Sequence, residues 1–342
     1  MKHTLERILA GEHLSEPAAA LLLERLTDEA LPPPVAGAVL AALRAKGETA
    51  AEVRGFASAM RRLARRPALP DGDGAVDVVG TGGDGSGSLN LSTGAALLAA
   101  ACGRPVVKHG NRAVSSRSGS ADVLEALGLR LPLDETSAGR CLERVGFTFL
   151  FAPYFHPAMR TLAAVRRALG VRTVFNLLGP LTNPAGPPYA VLGAWSPDAA
   201  ELMAETVSGL PIERVFVVHG APGWDEATPC GPFLLFDVRP GRVERTERDP
   251  SDLGLARCGP EHLAGGDAEQ NARRLRDAFA GEPGPHRDAL VLGAALALEV
   301  TGCRPAEAVE AAAAAIDRGA ATALLDRLRA FSAAECGAPG DG

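Results

Sequence analysis

The apolar positions follow two rhythms, and the change between them divides the chain. Residues 1 to about 67 read as four short helices with no strand among them. Leu5, Ile8 and Leu9 make the first apolar stripe, which Gly11 ends. A second begins near Ser15, with Pro17 in its first turn and Ala19, Leu22, Leu23 and Leu26 at helical spacing. Pro32, Pro33 and Pro34 interrupt the pattern before a third helix from Val35 to Ala45, which Gly47 closes. Thr49 and Glu52 then stand at capping-box spacing ahead of a fourth, whose tail RRLARR reads as a solvated helix end complementing its own dipole.

After a Pro- and Gly-rich stretch at 67–74, short apolar runs alternate with helical patterns. Strands are expected at Val76–Val79 and Pro105–Val107, and another starts at Phe147. Between them lie a helix from Gly94 to Ala101, one around Val123–Leu127, and one capped by Asp134 and ended by Gly146. His156–Gly170 reads as a single helix, and the following VRTVFNLLGPLTNP as a return to the helical domain. Apolar strands at Ala190–Ala194 and Val215–His219 precede a β-rich excursion over 231–260 with a turn at Pro240–Gly241, and from Gly265 the pattern is helical. The expectation is an α/β protein: a small all-helical domain over 1–70, joined by a segment near 170–188, and a large domain over 75–342 with a mostly parallel central sheet covered by helices.

Composition narrows the function classes. A formal net charge of −6 argues against general nucleic-acid affinity, which needs a basic surface, but leaves room for a local basic pocket. The six cysteines are scattered without a CxxC pair, so neither a zinc site nor a disulfide framework is indicated. No apolar run reaches the roughly 18 residues of a membrane span, and the amino terminus lacks a signal-peptide core, so a soluble cytoplasmic protein without membrane or nucleic-acid partners is expected. Lys2, Lys46 and Lys108 are the only lysines, and Asn90, Asn111, Asn176, Asn183 and Asn271 the only asparagines. A chain that otherwise avoids these residues and still places them in its loops needs their amide and ammonium groups there.

Two polar, glycine-rich segments follow the first two strands. GTGGDGSGSLNLST, Gly80 to Thr93, offers close backbone approach, neutral hydroxyls at Ser88, Ser92 and Thr93, and the positive end of the next helix. That is a phosphate cradle, though without the GK[ST] of a Walker loop and without GxGxxG spacing. KHGNRAVSSRSGSAD, Lys108 to Asp122, gathers cations, Asn111 and serines beside a strand end. Two such loops at the carboxyl edge of one sheet favour a ligand site over solvated turns. Asp225 and Glu226, in GAPGWDEATP beyond another strand, are surface charge or a magnesium site when read alone; as a polar loop, they are expected to tolerate substitution without loss of the fold. Arg166, near a helix end, reads by itself as a complement to the dipole.

GTGGDG with NLST, KHGNR and SSRSGSADVLEALG resemble the anthranilate phosphoribosyltransferases, of the nucleoside phosphorylase/phosphoribosyltransferase-like fold. The resemblance continues through FAPYFHPAMR, VRRALGVRTVFNLLGPLTNPA, HGAPGWDE and GGDAEQNARRLRDAFAGEPGPHRDA, nearly the whole chain. It implies transfer of the 5-phosphoribosyl group from phosphoribosyl pyrophosphate (PRPP) to the amine of anthranilate, with magnesium as cofactor and a homodimer formed through the helical domain. By the same resemblance Gly80, Gly83, Asp84, Ser88, Asn90, Ser92, Thr93, Lys108, Ser116 and Ser120 surround the donor, and Leu91, Gly110, Arg112 and Ser115 join them as substrate-binding positions. Ser92, Asp225 and Glu226 match the magnesium positions, and Gly80, Asn111 and Arg166 those that contact anthranilate, with His109 close by as a catalytic or a structural histidine. Lys108, His109 and Arg166 are the candidate catalytic residues.

Departures from the family pattern are mild. Leu89 stands where an aromatic residue is usual, which is expected to loosen the first loop, and Gly293 replaces a common asparagine in a helix expected to lie away from the motifs. A pyrimidine nucleoside phosphorylase would carry an STGGVGD-like loop and a KHS or RHS segment instead of GTGGDG and KHGNR. A non-catalytic, nucleic-acid-binding relative would be basic and lack the anthranilate contacts, whereas this chain is acidic and keeps Asn111 and Arg166.

Overall fold

A computed structural model of the chain describes residues 1–70, 74–113 and 117–337, without the side chains of Cys336 and Gly337. The amino-terminal helices are α1 (Lys2–Leu9), α2 (Glu16–Leu26), α3 (Pro33–Lys46) and α4 (Ala50–Leu63). Their anchor is the capping box of α4: Thr49 and Glu52 exchange hydrogen bonds as the spacing predicts, and the buried Glu52 carboxylate also accepts from Leu14 N–H and Lys46 Nζ, each at 2.9 Å. One residue thereby joins the starts or ends of three helices. The basic tail of α4 is not merely a solvated end. Arg61 is drawn inward to donate to the Leu181 carbonyl at 3.0 Å, and Arg62 pairs with Glu24 at 2.7 Å.

The second part runs β1 (Val76–Gly80), α5 (Leu91–Ala101), β2 (Val106–Gly110), α6 (Ser120–Ala126), α7 (Glu135–Val145) and β3 (Phe147–Phe151). It continues through α8 (Ala152–Phe155), a 3-10 turn at Pro157–Met159, α9 (Arg160–Leu169) and α10 (Val174–Leu181) to β4 (Tyr189–Gly193), α11 (Pro197–Val207) and β5 (Arg214–Gly220). The β-hairpin β6 (Phe233–Arg239) and β7 (Arg242–Arg248) follows, then α12 (Ala268–Phe279), α13 (Pro285–Val300), α14 (Pro305–Asp317) and α15 (Ala320–Gly337). The expected helix 156–170 is thus a 3-10 turn and a shorter α-helix, ended by Gly170 in the left-handed region at φ 62°. No helix among the described residues is long and apolar enough to cross a membrane.

The sheet order is β3-β2-β1-β4-β5-β6-β7, parallel from β3 through β5 and antiparallel in the hairpin. Strand side chains alternate between two main cores, as the period of two requires. Val78, Val191, Phe216, Val218 and Leu235 face α5 and the carboxyl-terminal helices, while Leu192, Val215, Val217 and Phe236 face the amino-terminal helices with α10 and α11. The outer strand β7 reads RVERTER and is exposed except at its last residue, so charges guard the open edge. The chain reaches β2 and β3 on one side of β1 and returns to β4 on the other. The crevice at the carboxyl ends of β1 and β4 is therefore the topological switch point of the sheet.

Close helix crossings explain the small residues. A Cβ on Gly55, in the middle of α4, would lie 2.3 Å from the Glu16 carbonyl oxygen and 2.8 Å from Ala19 Cβ on α2. Helix propensity alone makes Gly→Ala favourable by about 1 kcal/mol. The crossing reverses that sign: Gly55→Ala is expected to lower unfolding free energy by about 1–3 kcal/mol, the usual cost of overpacking. Chemical denaturation checks this, and a variant more stable than the parent would contradict the close α2–α4 approach.

Candidate active site

Each of β1, β2, β4 and β5 ends in glycine, and at the switch point this has a direct consequence. Gly80 and Gly193 are register partners, and the segment carrying Asp225 and Glu226 lies across them. A Cβ on Gly193 would stand 1.5 Å from the Asp225 carbonyl oxygen, and one on Gly80 would be 2.4 Å from Asp225 Oδ2. Only strands that end without side chains let this loop settle on the sheet. Asp225 Oδ2 then accepts from Gly82 N–H at 2.6 Å and Thr81 Oγ1 at 3.2 Å, and its own N–H donates to Asp84 Oδ2 at 3.3 Å. Glu226 Oε1 accepts from Ser92 N–H at 2.8 Å, in the first turn of α5, where the helix dipole favours an anion.

The pair is not displayed on a polar loop: Asp225 is 7% exposed and Glu226 half-buried. Burial, then the neighbouring charges, Asp84 for Asp225 and Asp225 for Glu226, push both carboxyl groups well above their ordinary range. The expectation that substitution here spares the fold is corrected accordingly, since truncation would strip Gly82 and Ser92 N–H groups of their acceptors. Among the described residues no group of three or more His, Cys, Asp or Glu forms a metal cage. Two or three carboxylates and a serine hydroxyl are hard oxygen donors, which fit a magnesium ion that takes its remaining ligands from water and phosphate.

Beyond Val76↔Val106, β1 and β2 do not continue their ladder, and side chains occupy the gap. Asp77 Oδ1 accepts from His109 N–H at 3.3 Å, and Asn183 Nδ2 donates to Asp77 Oδ2 and to the Val107 carbonyl, both at 2.8 Å. Lys108, 1% exposed, donates its ammonium to the Val78 carbonyl. Burial lowers the Lys108 pKa while Asp77, Glu226 and Asp225 oppose the shift. Burial likewise raises the Asp77 carboxyl to about 6, against the pull of Lys108 and Asn183.

His109, the next residue, is buried as well. Its Nδ1 faces the Gly179 carbonyl at 3.1 Å, which requires the proton on Nδ1, and leaves Nε2 a buried lone pair with no partner. The His156 ring packs edge-on at 5.2 Å and places Nε2 3.0 Å from the Thr182 carbonyl. Burial depresses both, His109 to about 3 with His156 adding to the effect, and His156 to about 4. A neutral imidazole of this kind can accept a hydrogen bond but carries no proton to deliver at neutral pH.

The two polar loops meet through Asn90, whose Nδ2 donates to the Ser118 carbonyl at 3.1 Å. Ser88 pairs as an isolated bridge with Ala264, and its Oγ lies 3.1 Å from Ser86 Oγ. Leu91 and Thr93 are buried in the first turn of α5, so Leu91 can offer a ligand only its backbone. Ser120 Oγ donates to the Asn111 carbonyl at 3.1 Å and would meet a Cβ on Gly110 at 2.3 Å. Arg112 is committed to Glu125, with Nη2–Oε1 at 2.7 Å, and to Asp122. Ser115 and Ser116 lie outside the described residues. Arg166 packs its guanidinium 5.1 Å from the centre of the Phe175 ring and has no carboxylate partner among the described residues; burial lowers its pKa. Six residues on, Arg172 stacks over Trp195 at 4.7 Å and donates to the Gly83 carbonyl, joining this helical segment to the first loop.

Residues 72–322 match the family described as glycosyl transferase family, a/b domain, and residues 2–64 its helical bundle domain. An anthranilate phosphoribosyltransferase of Rubrobacter xylanophilus is 48% identical over 330 residues, 96% of each chain. The chain belongs to the anthranilate phosphoribosyltransferase family. A crystal structure of the Thermus thermophilus member is 44% identical with a TM-score of 0.90, covering 96% of this chain and 99% of that one. The Saccharomyces cerevisiae member in complex with PRPP and Mg is 26% identical with a TM-score of 0.87, covering 96% and 97%. The α/β fold with its helical amino-terminal domain, anticipated from the alternation of patterns, is that of these relatives.

Two departures from the family pattern have a different meaning in three dimensions. Leu89 is 1% exposed in the core and its backbone N–H donates to the Leu263 carbonyl at 2.9 Å, so the loop is held at this point without an aromatic ring. Gly293 is not remote from the motifs: it lines one cleft with Gly80, Ser92, Asp225 and Glu226, and a Cβ there would lie 2.7 Å from Ala95 Cβ. Sequence reading passed over Asp77, Asn183 and Arg172 as site residues. The scarcity of asparagine pointed toward Asn183, whereas Arg172 is one arginine among many and gave no signal of its own.

The two histidines set a pH dependence of known sign. Their folded pKa values of about 3 and about 4 lie below the ~6.5 of an unfolded chain, so the unfolded state takes up protons that the folded state refuses. Their contribution to stability is complete above about pH 6.5 and declines as the pH falls, by about 2 kcal/mol per imidazole at about pH 5. The Tm of His156→Gln should therefore fall less than that of the parent between about pH 7.5 and about pH 5. Equal falls, or an imidazole resonance titrating near the unfolded value, would contradict the buried neutral pair.

Proposed function

We propose that this chain transfers the 5-phosphoribosyl group of PRPP to the amine of anthranilate, giving N-(5-phosphoribosyl)anthranilate and pyrophosphate, the second step of tryptophan biosynthesis from chorismate. The observation that carries the reading is the meeting of a glycine-rich loop, the start of α5 and two carboxylates at the switch point of a chain 48% identical to a named anthranilate phosphoribosyltransferase. The loop 80–93 and the segment 108–120 take the donor, with Gly80, Gly83, Asp84, Ser88, Asn90, Ser92, Thr93, Lys108, Ser116 and Ser120 around it. Asp225, Glu226 and the Ser92 hydroxyl hold magnesium, which supplies charge neutralisation for the departing pyrophosphate.

Anthranilate's aromatic amine is neutral at pH 7, so its lone pair attacks the sugar carbon without a strong base. The bond from that carbon to the pyrophosphate oxygen breaks as the new C–N bond forms, through an oxocarbenium-like state that favours positioning and electrostatics over covalent catalysis. Arg166 engages the acceptor carboxylate. Its support is a half-buried guanidinium resting on Phe175 with no carboxylate partner among the described residues. His109 lends a lone pair nearby, and Lys108 acts on the donor from within the sheet. The functional form is a cytoplasmic homodimer joined through the helical domain, which carries exposed leucines at Leu9 (68%) and Leu21 (57%).

Loss of anthranilate fluorescence on mixing with PRPP and magnesium tests the reaction, with a chelator abolishing it; nucleoside cleavage by phosphate instead would favour the phosphorylase reading. Arg166→Ala should raise the apparent Michaelis constant for anthranilate roughly ten- to a hundredfold, from the loss of a charge-assisted hydrogen bond of about 1.5–3 kcal/mol. The donor constant should stay near that of the parent, and a change confined to the donor would refute the acceptor pocket. Light scattering at working concentration should give the dimer mass, and a monomer would remove the interface assigned to the helical domain.

A further inference from the structure

Behind the first loop lies a residue with no place in the chemistry above. Asn271, in the first turns of α12, is 1% exposed and bonds through both ends of its amide. Its Oδ1 accepts from Gly266 N–H at 2.7 Å, and its Nδ2 donates to Asn90 Oδ1 at 2.8 Å. Asn90 passes the same polarity on, donating from Nδ2 to the Ser118 carbonyl. The chain of bonds therefore begins on a backbone N–H and ends on a backbone carbonyl, both of fixed sense. Neither amide can flip without losing a bond at each side, so the orientation of Asn90 is determined by Asn271.

The surroundings hold Asn271 still. Asp267 and Gln270 close a capping box at the start of α12. The preceding segment runs along the loop, with Leu89 N–H donating to the Leu263 carbonyl and Gly265 N–H to the Gly87 carbonyl at 2.7 Å. A Cβ on Gly265 would lie 2.3 Å from the Ser88 carbonyl oxygen, so the two backbones touch.

We propose that Asn271 is a positioning residue for the phosphoribosyl donor. It fixes the Asn90 amide, and through Asn90 ties loop 80–93 to the second polar loop at Ser118. The inference rests on the reading that these loops take the donor.

A double-mutant cycle tests it with Asn90→Ala, Asn271→Ala and the pair, measuring the Michaelis constants for PRPP and anthranilate and the dissociation constant of PRPP. Each single variant should raise the donor constants roughly tenfold, in line with one or two lost hydrogen bonds, and leave the anthranilate constant within about twofold. The double variant should be no worse than Asn90→Ala, because Asn271 acts through Asn90. Should the alanine variant not accumulate, Asn271→Ser keeps an acceptor for Gly266 N–H but cannot span to Asn90, and takes its place. An unchanged donor constant in Asn271→Ala, equal losses for both substrates, or multiplied effects in the double variant would overturn the role of Asn271 while leaving the donor loop intact. An unchanged donor constant in Asn90→Ala would overturn the donor reading of that loop, and the positioning role with it.

Discussion

The site depends on one close approach: the Asp225 carbonyl occupies the space that a side chain on Gly193 would fill. Because Gly80 and Gly193 end neighbouring strands, the loop crosses the switch point at backbone distance and brings two carboxyl groups inside the protein. Once there they cannot both stay ionised without compensation, since burial and mutual repulsion each disfavour charge. Lys108 supplies one positive charge from below and the start of α5 a partial one from the side. The imbalance that remains is negative, which suits a site built for a divalent cation and is the electrostatic reason an anionic diphosphate can dock there only with its counterion.

A second constraint opens room beside this one. Had β1 and β2 kept their ladder to the end, backbone hydrogen bonds would have sealed the gap that Asp77, Lys108 and Asn183 now fill. The exchange of ladder bonds for side-chain bonds leaves buried polar groups satisfied, as they must be, yet spreads the strand ends. It also explains why Lys108 does not reach out into solvent like most lysines. Its ammonium is a fixed part of the strand ends, buried where charge counts for more than in water.

The fold was largely readable because its signals are local. Four helices, the α4 capping box, the Asp134 and Gly146 ends of α7 and the hairpin turn at Pro240–Gly241 each follow from spacing or turn chemistry within a few residues. The motif loops were readable as loops, for the same reason. What escaped were facts made by distant segments meeting. Nothing near Asp225 in sequence announces its burial, which comes from glycines at 80 and 193. Leu89 looked like a lost aromatic contact, and its burial and its backbone bond to Leu263 come from a segment far along the chain. Gly293 looked peripheral because a helix far along the chain gives no hint that it packs against α5. Asparagine scarcity was the one compositional signal that crossed this distance: Asn90, Asn183 and Asn271 all bond between segments remote in sequence.

Those long-range bonds bear on how a loop so rich in glycine keeps a shape. Gly82, Gly83, Gly85 and Gly87 all have positive φ, so the backbone between β1 and α5 has little intrinsic preference to hold it. It is instead fastened from three directions. Asp225 grips Gly82 from the strand ends, Arg172 grips Gly83 from the segment joining α9 to α10, and the stretch from Leu263 to Asn271 grips residues 87–90 from the other face of the sheet. Trp224 and Ala227 beside the first anchor share a core with Leu263 and Ala272 beside the third, whereas Val174 beside the second lies in the other core, so a shift of one helical layer against the other would pull on the loop at Gly83. Restraint of this kind confers order while leaving the glycine N–H groups between the anchors unspent, and unspent N–H groups at the start of a helix are what a phosphate requires.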